Sequence, residues 1–189
     1  MYLTIVVTNI SMSIVKIYTD GSCLNNQNSK KGLSFGGYGC RIEYPNDIVE
    51  EFSAGLSGPK ITNNIGEFMA FKCGLERMIE IGVKDVVHIY TDSALLISTY
   101  TKWAKDWEKN GWKKANGKDV ENLEMVQEIY TLLTKSNVII IFKKIKAHLP
   151  EPDKNDATWA NWYGNFRADE LACLCANDMK VASEEVKDA

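Results

Sequence analysis

The 189-residue chain is 45% hydrophobic and 25% charged, which fits one globular domain with a substantial core and excludes disordered and fibrous classes. Its net charge of −3 conceals an uneven distribution of lysines along the chain. The five cysteines are scattered and form no Cys-x-x-Cys pair, which argues against a disulfide framework or a zinc site. We therefore expect a reducing, intracellular setting, either cytoplasmic or nuclear.

Residues 1–13 are rich in Ile and Val but have neither the basic region nor the small-residue cleavage site of a signal peptide. Polar residues interrupt this run too often for it to span a bilayer. We interpret it as an N-terminal extension of a soluble protein, either an added edge strand or a loosely packed arm. Residues 14–180 are expected to form the domain itself, and 181–189 a flexible tail.

The first half of this domain predicts three strands and a helix. The strands are expected at 14–22, 34–45 and 47–58, with a Pro-Asn-Asp turn joining the last two. Apolar residues at helical spacing then predict a helix from Asn63 to Ile81, which Gly82 would cap.

The second half predicts alternating strands and helices. A near-continuous apolar run at 83–91 is typical of a buried parallel strand. Helices are expected at about 93–109, 119–135 and 165–180, with a strand at 137–147 before the last. The order βββαβααβα predicts an α/β fold in which helices flank a five-stranded mixed sheet.

The letters Ile-Tyr-Thr-Asp end two of the predicted strands, placing Asp20 and Asp92 at equivalent positions. Because a crossover joins these strands, they are expected to be parallel neighbours, with both acids at the same end of the sheet. Taken singly, Asp20 suits a turn with Gly21, and Asp92 suits a helix N-cap. Together, two adjacent carboxylates repel each other unless a cation or shared proton intervenes, and their oxygens suit Mg²⁺ or Mn²⁺.

Two further acids are candidates for the same site. Glu67 lies near the start of the first helix, where Asn64-x-x-Glu67 also fits a capping box. Asp169 lies near the start of the last predicted helix, where an acid also complements the helix dipole. Four carboxylates on separate elements are about what two divalent ions roughly 3.5 to 4 Å apart require.

A basic segment indicates a second functional region. Residues 102–118 carry six lysines and two acids, and residues 143–146 add three lysines. Such a patch on an acidic body is typical of a polyanion site, although a solvated helix face has the same pattern. Trp103, Trp107 and Trp112 suit stacking against sugars or bases, but packing onto the sheet is the preferred interpretation for the last two.

The segments "TDGSC", "TNNIGE", "YTDS" and "NFRADELA" resemble those of type 1 ribonuclease H, over roughly Ile14 to Met179. The resemblance implies the RNase H-like fold and a metal-dependent endonuclease that hydrolyses the RNA strand of RNA/DNA hybrids. It further implies two Mg²⁺ ions, with Mn²⁺ as an alternative, and products with 3′-OH and 5′-phosphate ends. Carried over by position, the metal ligands are Asp20, Glu67, Asp92 and Asp169, and His148 is a catalytic residue that assists turnover.

Residues 102–122 resemble the Trp- and Lys-rich handle with which many members of this family bind the DNA strand. The implied substrate contacts are Ser22, Cys23, Asn26, Asn63 and Asn64 for the RNA strand, Lys60, Thr62 and Asn122 for a DNA phosphate, Trp103 for the DNA sugars, and Lys109 and Lys113 for further phosphates. We expect a monomer. The loop from His148 to Asp169 is longer than in compact members, and Ile65, Ala94 and Ala115 replace side chains that are often polar, which predicts weaker substrate binding.

Proteins of three other classes share some of these sequence features. A phosphatase with an aspartate nucleophile would need Asp-x-Asp, whereas Asp20 is followed by Gly21-Ser22. An integrase-like strand transferase would end its acid series with Glu and would lack the handle. A catalytically weak or inactive hybrid-binding protein stays open as the alternative, since binding needs only the handle and the Asn-rich loop; the presence of all four acids argues against it.

Overall fold

The computed structural model describes residues 14–24, 33–84 and 86–186, and its centre is a five-stranded sheet. The strand order is β3-β2-β1-β4-β5. β1 pairs antiparallel with β2 and parallel with β4; β2–β3 is antiparallel and β4–β5 parallel. The α/β class, the mixed sheet and the parallel β1–β4 pair are therefore confirmed. The strands are β1 Ile14–Cys23, β2 Ser34–Glu43, β3 Val49–Gly58, β4 Val86–Thr91 and β5 Ile139–Lys144.

The helices differ from the predicted ones mainly at their ends. The predicted helix at 93–109 is three pieces, because a π-helical segment interrupts it, and the helix expected from 119 begins only after Asn122, whose φ of 52° is left-handed. No helix within the described ranges is both long and apolar enough to cross a membrane. The helical elements are α1 Asn63–Glu80, α2 Ala94–Ser98, the π segment Thr99–Trp103, α3 Ala104–Lys109, α4 Leu123–Lys135 and α5 Trp159–Glu185.

The last helix is longer than predicted at both ends. It begins at Trp159 rather than at 165, and it continues to Glu185, through most of the stretch expected to be a flexible tail. The sequence "TWANWYG" does not predict the start of this helix, because aromatic residues, Asn and Gly have modest helix propensity. Its buried positions are Gly and Ala, so it lacks the stripe of large apolar residues from which a helix is usually predicted.

The two faces of the sheet are covered in different ways. On one face α1 and α4 contribute large side chains to the main hydrophobic core, where Phe71, Leu75 and Ile129 are fully buried. On the other face α5 lies directly on the strands, since a Cβ at Gly39 would collide with the Ala168 carbonyl. The close approach of α5 brings Asp169 to the end of the sheet where Asp20 and Asp92 lie.

Candidate active site

Three of the predicted carboxylates form one cluster where β1, β4 and α1 meet. Oxygen atoms of Asp20, Glu67 and Asp92 all lie within 4.8 Å of one another. The parallel β1–β4 pairing aligns Tyr18 with Tyr90, so that the acids two residues further on end at the same level. This is the placement that the repeated Ile-Tyr-Thr-Asp motif predicts.

Glycines bring α1 to this cluster. A Cβ at Gly21 would collide with the backbone of Gly66 and Glu67, and a Cβ at Gly66 would lie 2.8 Å from the Gly21 Cα. Only residues without side chains allow the end of β1 to approach the first turns of α1 this closely. The motifs "TDGSC" and "NNIGE" are thus in direct backbone contact, and their acids are neighbours as a result.

The cluster is strongly perturbed electrostatically. Asp20 and Glu67 are each only 8% exposed. Burial, reinforced by repulsion from Asp92 and Asp169, raises the pKa of Asp20 to about 7. Burial and the charges of Asp20 and Asp92 also raise the pKa of Glu67 well above its usual range. Buried like charges of this kind are destabilising unless protons or a cation compensate them, which argues against a merely structural role for the cluster.

Local structure excludes the simpler roles that the sequence allowed for these acids. The N-cap of α1 is Thr62, whose hydroxyl accepts from the Ile65 N–H, so Asn64 and Glu67 do not form a capping box. Ser93, not Asp92, caps α2. Asp169 lies well inside α5, far from the first turn where an acid would complement the helix dipole.

Asp169 and His148 line the same cleft as Asp20 and Asp92, a cavity of about 440 Å³. Burial raises the pKa of Asp92; the charge of His148 acts in the opposite direction on that carboxyl, and the charge of Asp169 adds to the increase. His148 itself is exposed, on a loop, with a left-handed φ of 50°. The structure thus brings together all five residues predicted to be catalytic. The rest of the cleft wall is largely apolar and includes Leu149, Pro150, Pro152, Trp162 and Phe166.

The donor set fits a hard divalent cation. Every group in the cluster offers a carboxylate oxygen, the ligand that Mg²⁺ and Mn²⁺ prefer, and no thiol or imidazole lies among the three closest ligands. Burial, together with the neighbouring negative charges, raises the pKa values of Asp20, Glu67 and Asp92, and a cation among them would stabilise their ionised forms. These residues therefore fit a metal site, with Asp169 beside them in the cleft.

Most of the predicted RNA-strand contacts lie beside this cluster. Ser22 and Cys23 end β1, and the Cys23 thiol donates to the Ile61 carbonyl at 3.2 Å, which ties the strand to the turn before α1. Asn63 and Asn64 are exposed at the start of α1, after Thr62 and the exposed Lys60. Asn26 lies outside the described residues.

Two of the predicted DNA-strand contacts line a separate groove of about 530 Å³, whereas Lys60 and Thr62 lie in the turn before α1. Trp103 and Asn122 line this groove, together with Ala115. Trp103 is 40% exposed. Trp107 and Trp112 pack against the hydrophobic core, which confirms the preferred interpretation of those two side chains.

The lysines of the handle, residues 102–122, fall into two groups. Lys113 forms an ion pair with Asp119, and Lys114 forms one with Glu121 at 3.0 Å. Within the described residues, Lys102, Lys105, Lys109 and Lys118 are exposed and form no ion pair. The structure therefore leaves Lys109 available to an anion, whereas the predicted phosphate contact Lys113 already has an acidic partner.

Two side chains that the sequence did not single out contact the carboxylates. The Thr91 hydroxyl lies 3.5 Å from Glu67 Oε2, and the Cys173 thiol lies 3.5 Å from both Asp169 Oδ1 and Ser22 Oγ. In the sequence, the feature that could have indicated these two residues is their distance from the acids. Thr91 directly precedes Asp92, and Cys173 follows Asp169 by one helical turn. Neither signal is specific without the fold.

Known proteins resemble this chain in sequence over most of its length. The family model described as RNase H matches residues 12–176. A ribonuclease H of Chlorobaculum parvum is 38% identical over 167 residues, covering 87% of this chain and 96% of that protein. A ribonuclease H of Rippkaea orientalis is 33% identical, covering 94% of each chain.

Solved structures share the fold at lower identity. LC9-RNase H1, a type 1 RNase H with the type 2 active-site motif, superposes with a TM-score of 0.67 at 23% identity, covering 90% of this chain and 75% of that one. The PFV RNase H domain gives 0.66 at 19% identity, covering 90% and 98%. From the family match, the relatives and the fold, the chain belongs to the RNase H family and is a nuclease.

Proposed function

We propose that this protein is a metal-dependent endonuclease that hydrolyses the RNA strand of RNA/DNA hybrids and leaves 3′-OH and 5′-phosphate ends. The observation that carries the proposal is the buried cluster of Asp20, Glu67 and Asp92, which opens into a cleft shared with His148 and Asp169. A foamy viral protease–reverse transcriptase, similar in fold at 19% identity and a TM-score of 0.62, was solved in complex with an RNA/DNA hybrid.

The four carboxylates would hold two Mg²⁺ ions, with Mn²⁺ as a substitute. When bound, such a pair of ions supplies an activated water and stabilises the leaving oxygen of an in-line displacement. The protein holds these ligands in place: Asp20 lies within β1, Asp92 directly follows the paired strand β4, and the contact of Gly21 with Gly66 fixes Glu67. Preorganised ligands need no rearrangement during the reaction.

His148 contributes an imidazole to the lining of this cleft, and imidazole is the side chain that enzymes use most often as a general acid or base. Its position on an exposed loop at the mouth of the cleft suits transfer of a proton to or from the reacting phosphate as product leaves. No Ser-His-Asp arrangement is required, because the nucleophile is water.

Recognition of the two strands is assigned to different surfaces. Ser22, Cys23, Asn63 and Asn64 border the carboxylates, where short polar groups suit the ribose 2′-OH, the group that distinguishes RNA from DNA. Trp103 and Asn122 share the second groove, where an aromatic face suits sugars and an amide suits a phosphate. Lys60, Thr62 and Lys109 are proposed to add phosphate contacts, and Asn26 a contact to RNA.

Analysis of the product ends tests the proposal. A hybrid carrying a labelled RNA strand is incubated with the protein and Mg²⁺, and the fragments are treated with phosphatase and with a 3′-end-dependent ligase. Fragments with 5′-phosphate and ligatable 3′-OH ends are expected, because water attacks rather than the 2′-OH. Fragments with 2′,3′-cyclic phosphates would refute the mechanism, and an uncut RNA strand would favour the hybrid-binding alternative.

A further inference from the structure

The chain between His148 and Asp169 makes contacts that the proposed mechanism does not use. Two indole groups from the first turns of α5 reach back to the loop that carries His148. Trp162 Nε1 donates to the Leu149 carbonyl at 2.8 Å, and Trp159 Nε1 donates to Glu151 Oε1 at 3.2 Å. The part of α5 that precedes its predicted start at 165 thus fastens this loop to the helix.

The Trp162 indole is itself held in place on the face of α5 that leads to Asp169. Its ring stacks on Phe166 with centroids 5.3 Å apart and planes 13° from parallel. Phe166 lies three positions before Asp169, so the two share a face of the helix. Trp162, Phe166 and Asp169 all line the cleft. The same face of α5 therefore carries both Asp169 and Trp162, the residue that is hydrogen-bonded to the loop containing His148.

The loop needs such an anchor at this point. His148 has a φ of 50°, a conformation that a residue with a side chain keeps only when its surroundings enforce it. Leu149 is the next residue, and Pro150 after it further restricts the backbone of Leu149. A hydrogen bond to the Leu149 carbonyl therefore fixes the chain one residue beyond the imidazole.

We propose that Trp162 is a positioning residue for His148: its indole N–H holds the loop so that the imidazole stays over the carboxylate cluster. The inference rests on the proposed function, in which His148 takes part in turnover. Positioning is valuable because a misplacement of about 1 Å costs on the order of 100-fold in rate. Trp162 is not required to touch the substrate.

The test is a double-mutant cycle between Trp162→Phe and His148→Ala, read as kcat and KM on an RNA/DNA hybrid with Mg²⁺. Phenylalanine keeps an aromatic ring that can stack on Phe166, while it removes the N–H donor together with the second ring of the indole. We expect Trp162→Phe to lower kcat about tenfold with KM changed by less than about twofold, since the variant weakens transition-state stabilisation and not ground-state binding. In the His148→Ala background, the same change is expected to have no further effect.

Trp159→Phe is the matched control, because it removes an indole hydrogen bond to a side chain of the same loop and is expected to leave kcat unchanged. If Trp162→Phe lowers kcat equally with and without His148, Trp162 has only a structural role and the inference is overturned. The inference is also overturned if Trp162→Phe leaves kcat unchanged, or if His148→Ala does. If Trp162→Phe does not fold, Phe166→Leu is measured in the same two backgrounds with the same coupling expected. Wild-type protein that fails to cut the hybrid would instead refute the proposed function.

Discussion

The carboxylate cluster and the handle carry opposite charges, and they differ in how far their charged side chains are exposed to solvent. Asp20 and Glu67 are buried where β1 and α1 meet, and burial raises the pKa of both carboxyl groups. The lysines at 102, 105 and 109 extend into solvent from a helical segment in which Trp107 packs against the core. Buried charge is destabilising and marks a specific ligand, whereas exposed charge is readily tolerated and supports general attraction to a polyanion.

The largest expected effect comes from the cluster. Asp20→Asn and Asp92→Asn are each expected to lower cleavage by at least about 1,000-fold, since each removes a ligand of the reacting centre. Hybrid binding in Ca²⁺ is expected to survive, because the exposed lysines supply most of the non-specific affinity. Cleavage assays and binding titrations on the same preparations separate the two effects, and normal cleavage by either variant would mean that the site is misassigned.

The handle is expected to affect binding more than chemistry. Replacing Lys102, Lys105 and Lys109 by Glu is expected to raise KM on the order of tenfold with kcat largely kept. The salt dependence of binding is expected to become shallower by about one unit of slope for each phosphate that the variant no longer binds. The free energy of unfolding is expected to change little, because exposed charges contribute little to stability.

Lys113 and Lys114 provide the matched control for this variant, because both are already paired with acids of the same loop. Replacing these two by Glu is expected to raise KM less per lysine than the first set. An unchanged KM in the first set would make these lysines a solvated helix face and remove the handle from the mechanism.

Trp103 and Trp107 belong to the same segment, but they are expected to have different roles, one in substrate binding and the other in stability. Trp103→Ala is expected to raise KM by roughly 5- to 50-fold without altering the salt slope, since a stacking contact releases no counterions. Trp107→Ala is expected to lower the melting temperature, because that side chain packs against the core. Thermal denaturation and hybrid-binding titrations of the two variants distinguish these effects. If both variants lower the melting temperature equally, Trp103 is a core residue and not a substrate contact.

The smallest expected effect is a pH dependence of stability in metal-free protein. Because folding raises the pKa of Asp20 to about 7, the folded state keeps a proton that the unfolded chain releases near pH 4. The destabilising contribution of Asp20 therefore grows as the pH rises from about 4 to about 7.

Asp20→Asn removes this contribution, so its melting temperature without metal is expected to exceed that of wild type by a few degrees at pH 8 and by less at pH 5. Addition of Mg²⁺ is expected to reverse the order at pH 8 by stabilising only wild type. A melting-temperature difference that is the same at both pH values would show that Asp20 does not titrate as described.

The sequence predicts the cluster better than it predicts the surroundings of the cluster. The repeated Ile-Tyr-Thr-Asp motif, together with the crossover rule, is sufficient to place Asp20 and Asp92 side by side. The capping-box interpretation of Glu67 fails because Thr62 takes the N-cap, while the contact of Gly21 with Gly66 directs the start of α1 toward β1. Such long-range backbone contacts have no local signal.

The handle and the last helix show the same limit. The lysines at 102–118 give a basic pattern, but the pairing of Lys113 with Asp119 follows from a loop conformation that composition does not reveal. The early start of α5 at Trp159 is likewise not visible in the helix propensities, because the buried residue of this added part is Gly164, which lies against the Tyr18 ring. Tertiary packing determines both features.

The central claim is that the carboxylate cluster, loaded with a divalent metal, cuts the RNA strand of a hybrid. The most direct measurement is one gel in which each strand of an RNA/DNA hybrid carries its own label and wild-type protein is present with Mg²⁺ or with EDTA. We predict that the RNA strand is cut at internal positions with Mg²⁺ only, and that the DNA strand stays intact. Cleavage in EDTA, or cleavage of the DNA strand, would contradict the account.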